Sequence, residues 1–490
     1  MRPFFILWSS WRKGKVHNGL FAALAAFTLA YLFLRMVRIP ITHDEAGTIL
    51  NFAQQPLWDI LTYKDPIPNN HIFNTLLVKG SHAVFGLAEW ACRWPNLMAG
   101  ALYILYGFLL LRLLTGIHNF KSIAGIILLL GNPYLLEFFA LARGYGLSVG
   151  LMMASLYYIQ RGKLRDHWFS LGFAALAVYA NLTLLNYFIP LLTLVLFLRW
   201  KDSLKDYLRS ILPALVISLV LTGLLALPVI RMIGTDQFRF WGTKGFMADT
   251  LEPLLRSSLM GEAYFGTWTG TLFTVILVVS GILLFLYAIR MLWKRRFKAM
   301  HQPRFQLLFL FFGTLFYNIL QHHIAGVPYL NARTALFFYP LYCLALLAIL
   351  TEEKGFPRVK SALIVVLTGF SIWHMSRTWN LHSSREWWFD GDNRKVMEWI
   401  ASDTAGRPDD KASLKCNWLF QPSLTYYVKT RYADVTGLPP YNKTIDTSEL
   451  VDYYYITSDD RNAWFDRHYV VAQSFAWDSR FLMKKKPLKE

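Results

Sequence analysis

Residues 18–45 read NGLFAALAAFTLAYLFLRMVRIPITHDE, and their reading decides the fold. The first part is a continuous apolar run of about twenty residues, the length a helix needs to cross a hydrocarbon core of about 30 Å. The run does not alternate, so it is no strand, and a lipid-embedded backbone must satisfy its hydrogen bonds internally. It ends at two arginines, and a few residues later comes the acidic pair Asp44–Glu45. The opening of the chain has the basic front of a signal peptide but lacks a small-residue cleavage site before Arg35, so it is read as an uncleaved first span.

The same pattern recurs. Of 490 residues, 55% are hydrophobic and 16% aromatic, too apolar for a soluble chain of this length. Eleven spans are expected near 18–38, 95–114, 121–141, 144–160, 167–181, 183–199, 209–231, 270–293, 305–323, 332–350 and 358–376. The long stretch 167–199 is divided at its Asn-containing middle, NLTLLN, because 33 residues of unbroken helix would reach about 50 Å. The net charge of +19 excludes little by itself, but its placement does. Lys and Arg are about twice as numerous in loops of one parity as in the other, the positive-inside signature. RMLWKRRFKAMHQPR at 290–304 is the densest of these loops. That places the N-terminus in the cytoplasm and residues after 376 outside, and it argues against nucleic acid, which needs a continuous basic patch. Cys92, Cys343 and Cys416 have no metal-ligand spacing and no support for a disulfide.

Three outer segments are long: 39–94, 232–269 and 377–490. In the first, 48–62 and 71–86 have the spacing of amphipathic interfacial helices. In the tail, NRKVMEWIASD and NAWFDRH read as helices, SLKCNWLF and DYYYITS as strands, which suits a small α/β domain over 377–490 attached to a transmembrane region over 1–376. No internal repeat is found. The sequons NLT and NKT carry no assignment.

Chemistry-bearing residues collect on the outer side. Asp44 and Glu45 stand at the expected membrane–water boundary, where a carboxylate can act as general base or help to hold a divalent cation, or can simply be solvated. NPYLLEFFALARGYGLSVG (132–150) places Glu137 inside an apolar run and Arg143 in the following turn. Ionised groups in spans default to functional or paired roles, so the choice is between phosphate recognition by Arg143 and a Glu137–Arg143 ion pair. QHHIAGVPYLNARTALFFYPLYCL (321–344) brings His322, His323, Tyr329 and Arg333 into a short outer turn. Arg333 there is either a snorkelling arginine or a phosphate ligand. PNNHIFNTLL (68–77) sets Asn69, Asn70 and His71 before an apolar helix, as caps or as sugar and phosphate ligands. The middles of the spans are nearly free of charge, which suits surface catalysis better than transport.

On HDEA, PNNHIFNTLL, EWACRWPNLMAGAL, LARGYGL and NARTALFFYPL, in that order over residues 1–350, the chain resembles the GT-C superfamily of polytopic glycosyltransferases. The branch is the bacterial one related to protein O-mannosyltransferases and aminoarabinose transferases. The resemblance implies a sugar on a polyprenyl-phosphate donor, transfer with inversion to a lipid, glycan or protein acceptor, and residence among the lipids of a bacterial inner membrane. It also implies Asp44 as general base, with Glu45 assisting in the acceptor or metal site and a divalent cation as the one cofactor to consider. Arg143 and Arg333 would hold the leaving phosphate with His71 near the donor head group, supported by Asn70, Glu137, Tyr329 and His323. PNNH departs from the proline-rich motif of the mannosyltransferases, which leaves His71 and the sugar open. A lipid-linked glycan flippase and an O-antigen ligase or polymerase are the competing readings; the second is disfavoured by the acidic pair after the first span.

Overall fold

A computed structural model describes residues 15–116, 120–201, 203–233, 235, 242–262, 267–353, 355–405, 411–437, 441–475 and 479–487. The basic N-terminal front and part of the 232–269 loop lie outside them. A helix stands at each of the eleven expected positions. Among the described residues seven helices are long and apolar enough to cross a membrane, with Phe120–Leu130 and Leu182–Leu198 as shorter apolar ones. The chain is an integral membrane protein, mostly helical, with a small sheet near its C-terminus.

Two expectations about helix continuity change. The third span, expected over 121–141, stops at Leu130. Gly131 is followed by Asn132, whose side chain caps a new five-residue helix, Pro133–Glu137, with proline at its first turn. Proline brings no N–H and its ring blocks continuation of the preceding helix, so the break is local chemistry. The expected interfacial helix over 48–62 is likewise broken, into His43–Gly47, a wide π turn Thr48–Phe52 and a short helix Leu57–Leu61 after Pro56. The 167–199 stretch divides where expected: Asn181 leaves the helix Asp166–Ala180 in an extended conformation and caps the 3-10 turn Leu182–Leu184 with its side chain.

The chain forms two compact units. The first comprises residues 1–33, 56–77 and 94–379. The helix Gly144–Arg161 is almost wholly buried and lies along Asp166–Ala180, with Ser155, Ser170 and Tyr187 joined by buried hydrogen bonds of 2.9–3.1 Å. A small residue lets Gly144–Arg161 approach the helix that carries Ala99: at Gly150 a side chain would meet the Ala99 backbone carbonyl.

The second unit comprises residues 34–55, 78–93 and 380–490. Its sheet has the order β2-β1-β3-β5-β4, with β1 Ala412–Cys416, β2 Thr436–Gly437, β3 Tyr453–Thr457, β4 Tyr469–Phe475 and β5 Arg480–Lys485. β1 runs parallel to β2 and β3, and β3 pairs antiparallel with β5, which pairs antiparallel with β4. Tyr454, Ile456, Phe465 and Met483 form the core of one face. The tail helices expected at NRKVMEWIASD and NAWFDRH, and the two expected strands, are all present. The helix Gln421–Arg431 was not legible, because QPSLTYYVKTR has no apolar stripe.

Candidate functional site

In the second unit the acidic pair divides into two roles. Thr42 caps the helix His43–Gly47 in a capping box closed by Glu45. The same carboxylate, wholly buried, takes two bonds from Arg93: Nε to Oε1 at 2.7 Å and Nη2 to Oε2 at 2.6 Å. Arg93 spends its remaining donors on the carbonyls of Met36, Ile39 and Pro40. A buried bidentate pair with every donor engaged fixes a geometry, and here it ties helix His43–Gly47 to segment 36–40. Glu45 is thereby a positioning residue. The expectation that it assists an acceptor or binds a metal is corrected, since its oxygens are already taken by a guanidinium and by a cap. Among the described residues no group of three His, Cys, Asp or Glu side chains stands together. Asp44, by contrast, is half-buried on the same short helix.

Residues that sequence reasoning passed over surround this helix. The His43 amide donates to Asp390 Oδ2 at 2.7 Å, while Asn393 donates to Oδ1, also at 2.7 Å. Burial pushes the Asp390 carboxyl well above the usual carboxylate range, those two bonds opposing it and the charges of Asp44 and Glu45 adding to it. Tyr427 donates to Glu89 at 2.6 Å and accepts from the Ile41 amide at 3.0 Å, and Arg394 pairs with Glu89. The one available signal was in EWACRWPN: Glu89 and Arg93 are charges at the start of an apolar helix, which asks for partners.

The other expected residues lie in the first unit, where His71 and Arg143 meet at Tyr145. Asn70 is buried, bonded to Thr75 and to the Ile60 carbonyl, and Tyr63 donates to its carbonyl. His71 packs edge-on against Tyr145, ring centroids 4.7 Å apart, and its ring donates to the carbonyl of Ala180. Arg143, almost wholly buried, stands just before the helix Gly144–Arg161, donates to the Asn69 carbonyl at 3.2 Å and lies 5.7 Å over the Tyr145 ring. Burial holds the imidazole of His71 well below its usual titration range, and the nearby charges of Arg143 and Arg333 hold it lower still. Glycines make the approach feasible: a side chain at Gly144 would overlap the Ala180 carbonyl and the His71 ring, and one at Gly146 the Phe138 carbonyl. LARGYGL is thus a close-packing motif with an arginine at its head.

A cavity of about 110 Å³ opens beside His71, lined also by Tyr63, Tyr145, Tyr179, Thr183 and Thr334. Arg333 sits half-buried in the 3-10 turn Ala332–Ala335, next to Thr334. His71 is neutral with its N–H on Ala180, so Nε2 offers only a lone pair. A phosphate oxygen is a poor partner for it, and its expected role as a phosphate ligand is revised. Tyr329 is buried, with His322 stacked on its ring at 4.0 Å and His323 within 3.4 Å of its hydroxyl. Glu137 is buried in the short helix Pro133–Glu137. Tyr145, which touches both His71 and Arg143, gave no signal in the sequence.

A scan against protein-family models and a search of curated protein sequences find no match. Among solved structures the chain is similar to ArnT from Cupriavidus metallidurans in the apo state, with a TM-score of 0.50 and 12% identity over 96% of this chain and 98% of that one. It is also similar to ArnT from the same organism bound to undecaprenyl phosphate, with a TM-score of 0.49 and 13% identity over 95% and 97%. The fold of the chain is therefore like that of apo ArnT over nearly its whole length.

Proposed function

We propose that this protein is a membrane glycosyltransferase that moves a sugar from a polyprenyl-phosphate donor to an acceptor hydroxyl, with inversion, on the outer face of a bacterial inner membrane. The observation that carries the reading is that the charges of Arg143 and Arg333 both bear on His71, which lines a cavity of about 110 Å³. Two guanidinium forks that act on one site suit a phosphate, and a lipid phosphate is the anion a membrane supplies. The ArnT-like fold supports the same class of chemistry.

The roles follow from the groups. The acceptor hydroxyl attacks the anomeric carbon and gives its proton to the Asp44 carboxylate. The bond from that carbon to the phosphate oxygen breaks, and the electron pair leaves with the polyprenyl phosphate. Arg143 and Arg333 stabilise the charge gathering on that phosphate. Glu45, Arg93 and Asp390 hold the helix that carries Asp44. The acceptor is a lipid, a glycan or a protein.

The test is transfer by the purified protein in liposomes containing polyprenyl-phosphate sugars, followed as release of polyprenyl phosphate. Wild type releases it and Asp44→Asn does not, although both insert and fold. Full activity in Asp44→Asn would remove the base, and movement of the intact sugar lipid across the bilayer without release would favour a transporter.

A further inference from the structure

The segment NLT at 181–183 enters no step of the reaction above, yet it borders the cavity beside His71. Asn181 caps its own turn by accepting from the Thr183 amide at 3.3 Å. That leaves the Thr183 hydroxyl without a hydrogen-bond partner among the described residues, and the hydroxyl of Tyr179, one turn earlier, has none either. His71 Nε2 is the third such atom. All three residues line the same cavity of about 110 Å³, and His71 is only 7% exposed. Three unpartnered polar atoms around one small space are a costly arrangement unless something polar fills it.

Their chemistry limits the occupant. Nε2 is a bare lone pair, so it needs a hydroxyl or amine hydrogen. Tyr179 and Thr183 can each donate or accept. No carboxylate lines the cavity among the described residues, and the charges of Arg143 and Arg333 bear on it. An ammonium would satisfy the lone pair but would sit in that positive field without a counter-ion. A phosphate would suit the field but offers the imidazole no hydrogen. A neutral hydroxyl meets both conditions.

We infer that the pocket formed by His71, Tyr179 and Thr183 reads the hydroxyls of an uncharged sugar on the donor lipid, and that it selects against a protonated amino sugar. This deepens the proposed function and rests on it. The phosphate is left to the arginine forks, and the sugar edge to these three groups.

The experiment compares three probes on the purified protein in detergent: polyprenyl phosphate carrying a neutral hexose, the same lipid carrying an amino sugar, and bare polyprenyl phosphate. Affinities are read by native mass spectrometry for wild type, Tyr179→Phe and Thr183→Val, two substitutions that remove a hydroxyl and little else. Wild type should prefer the neutral glycolipid to the other two. Each variant should lose about five- to tenfold for it while binding bare lipid as before. A preference for the amino-sugar lipid, unchanged affinity in both variants, or loss of bare-lipid binding in both would overturn the inference. If wild type bound none of the three probes, the glycosyltransferase reading would fall as well; bare lipid bound as tightly as neutral glycolipid removes only the pocket assignment.

Discussion

Two buried polar clusters among the described residues, one around Glu45 and one around His71, differ in one respect. Around Glu45 and Arg93 the donors meet acceptors: a bidentate ion pair, a capping box, three backbone carbonyls. Around His71 they do not, and Nε2, the Tyr179 hydroxyl and the Thr183 hydroxyl have no partner among the described residues. A saturated buried network holds a shape, because any displacement leaves a charge unpaired in low dielectric. An unsaturated one is unfavourable in isolation and gains most from a ligand. The first cluster is therefore read as scaffold for Asp44, the second as a site of recognition.

Substitutions can break or sharpen that contrast. The largest effect is expected for Asp44→Asn, the proposed general base: transfer should fall by about 10²–10⁴ in the release assay with unchanged thermal stability. Arg93→Ala should do the reverse kind of damage. Removing one partner of a buried pair costs about 3–5 kcal/mol, so the protein should be lost from size-exclusion profiles or melt far lower. If Arg93→Ala were as stable as wild type, the scaffold reading would be wrong. Arg143→Ala should lower transfer by about 10²–10³ and Arg143→Lys only partly restore it, since an ammonium lacks the bidentate fork. Gly144→Ala should destabilise by about 1–3 kcal/mol, because the methyl meets the Ala180 carbonyl and the His71 ring, and thermal melts would register it.

The smallest effect concerns pH. Asp390 has a folded pKa raised by burial, so its stabilising contribution is complete below the ordinary carboxylate range. It is lost as pH rises through the raised folded value. Asp390→Asn removes that ionisation and keeps an acceptor for the His43 amide. The variant should gain stability relative to wild type as the buffer moves from mildly acidic to mildly alkaline, in paired melting curves. A constant difference across pH would show that Asp390 does not titrate there.

Much of the membrane region was readable because its rule is one-dimensional: lipid demands long apolar runs, and prolines or asparagines punctuate them. The split of 167–199 at Asn181 is a case. The break at Gly131–Asn132–Pro133 carried the same signal and was overridden by the apolar count. Of the candidate residues, Asp44, Arg143, Arg333 and His71 stood out because charge or polarity beside an apolar run is expensive. Tyr145, Tyr179 and Thr183 did not, since an aromatic or a threonine in such a run is ordinary. The tail showed its amphipathic helix Asn393–Asp403 and the aromatic strand Tyr453–Thr457 but hid the helix Gln421–Arg431, whose buried face includes Ser423, Tyr426 and Tyr427 and is not apolar throughout.

The sequence by itself determined that the chain lies in a membrane, where most of its long helices lie, and which ionisable groups needed an explanation. Those are consequences of hydrophobicity and local backbone chemistry. Only the tertiary structure decided that Glu45 belongs to Arg93 rather than to a ligand, that His71 is neutral with a bare Nε2, and that Tyr179 and Thr183 share its cavity. Partners such as Arg93 and Asp390, 48 and 347 positions away from the residues they bond, are brought together by packing, and no local pattern records that.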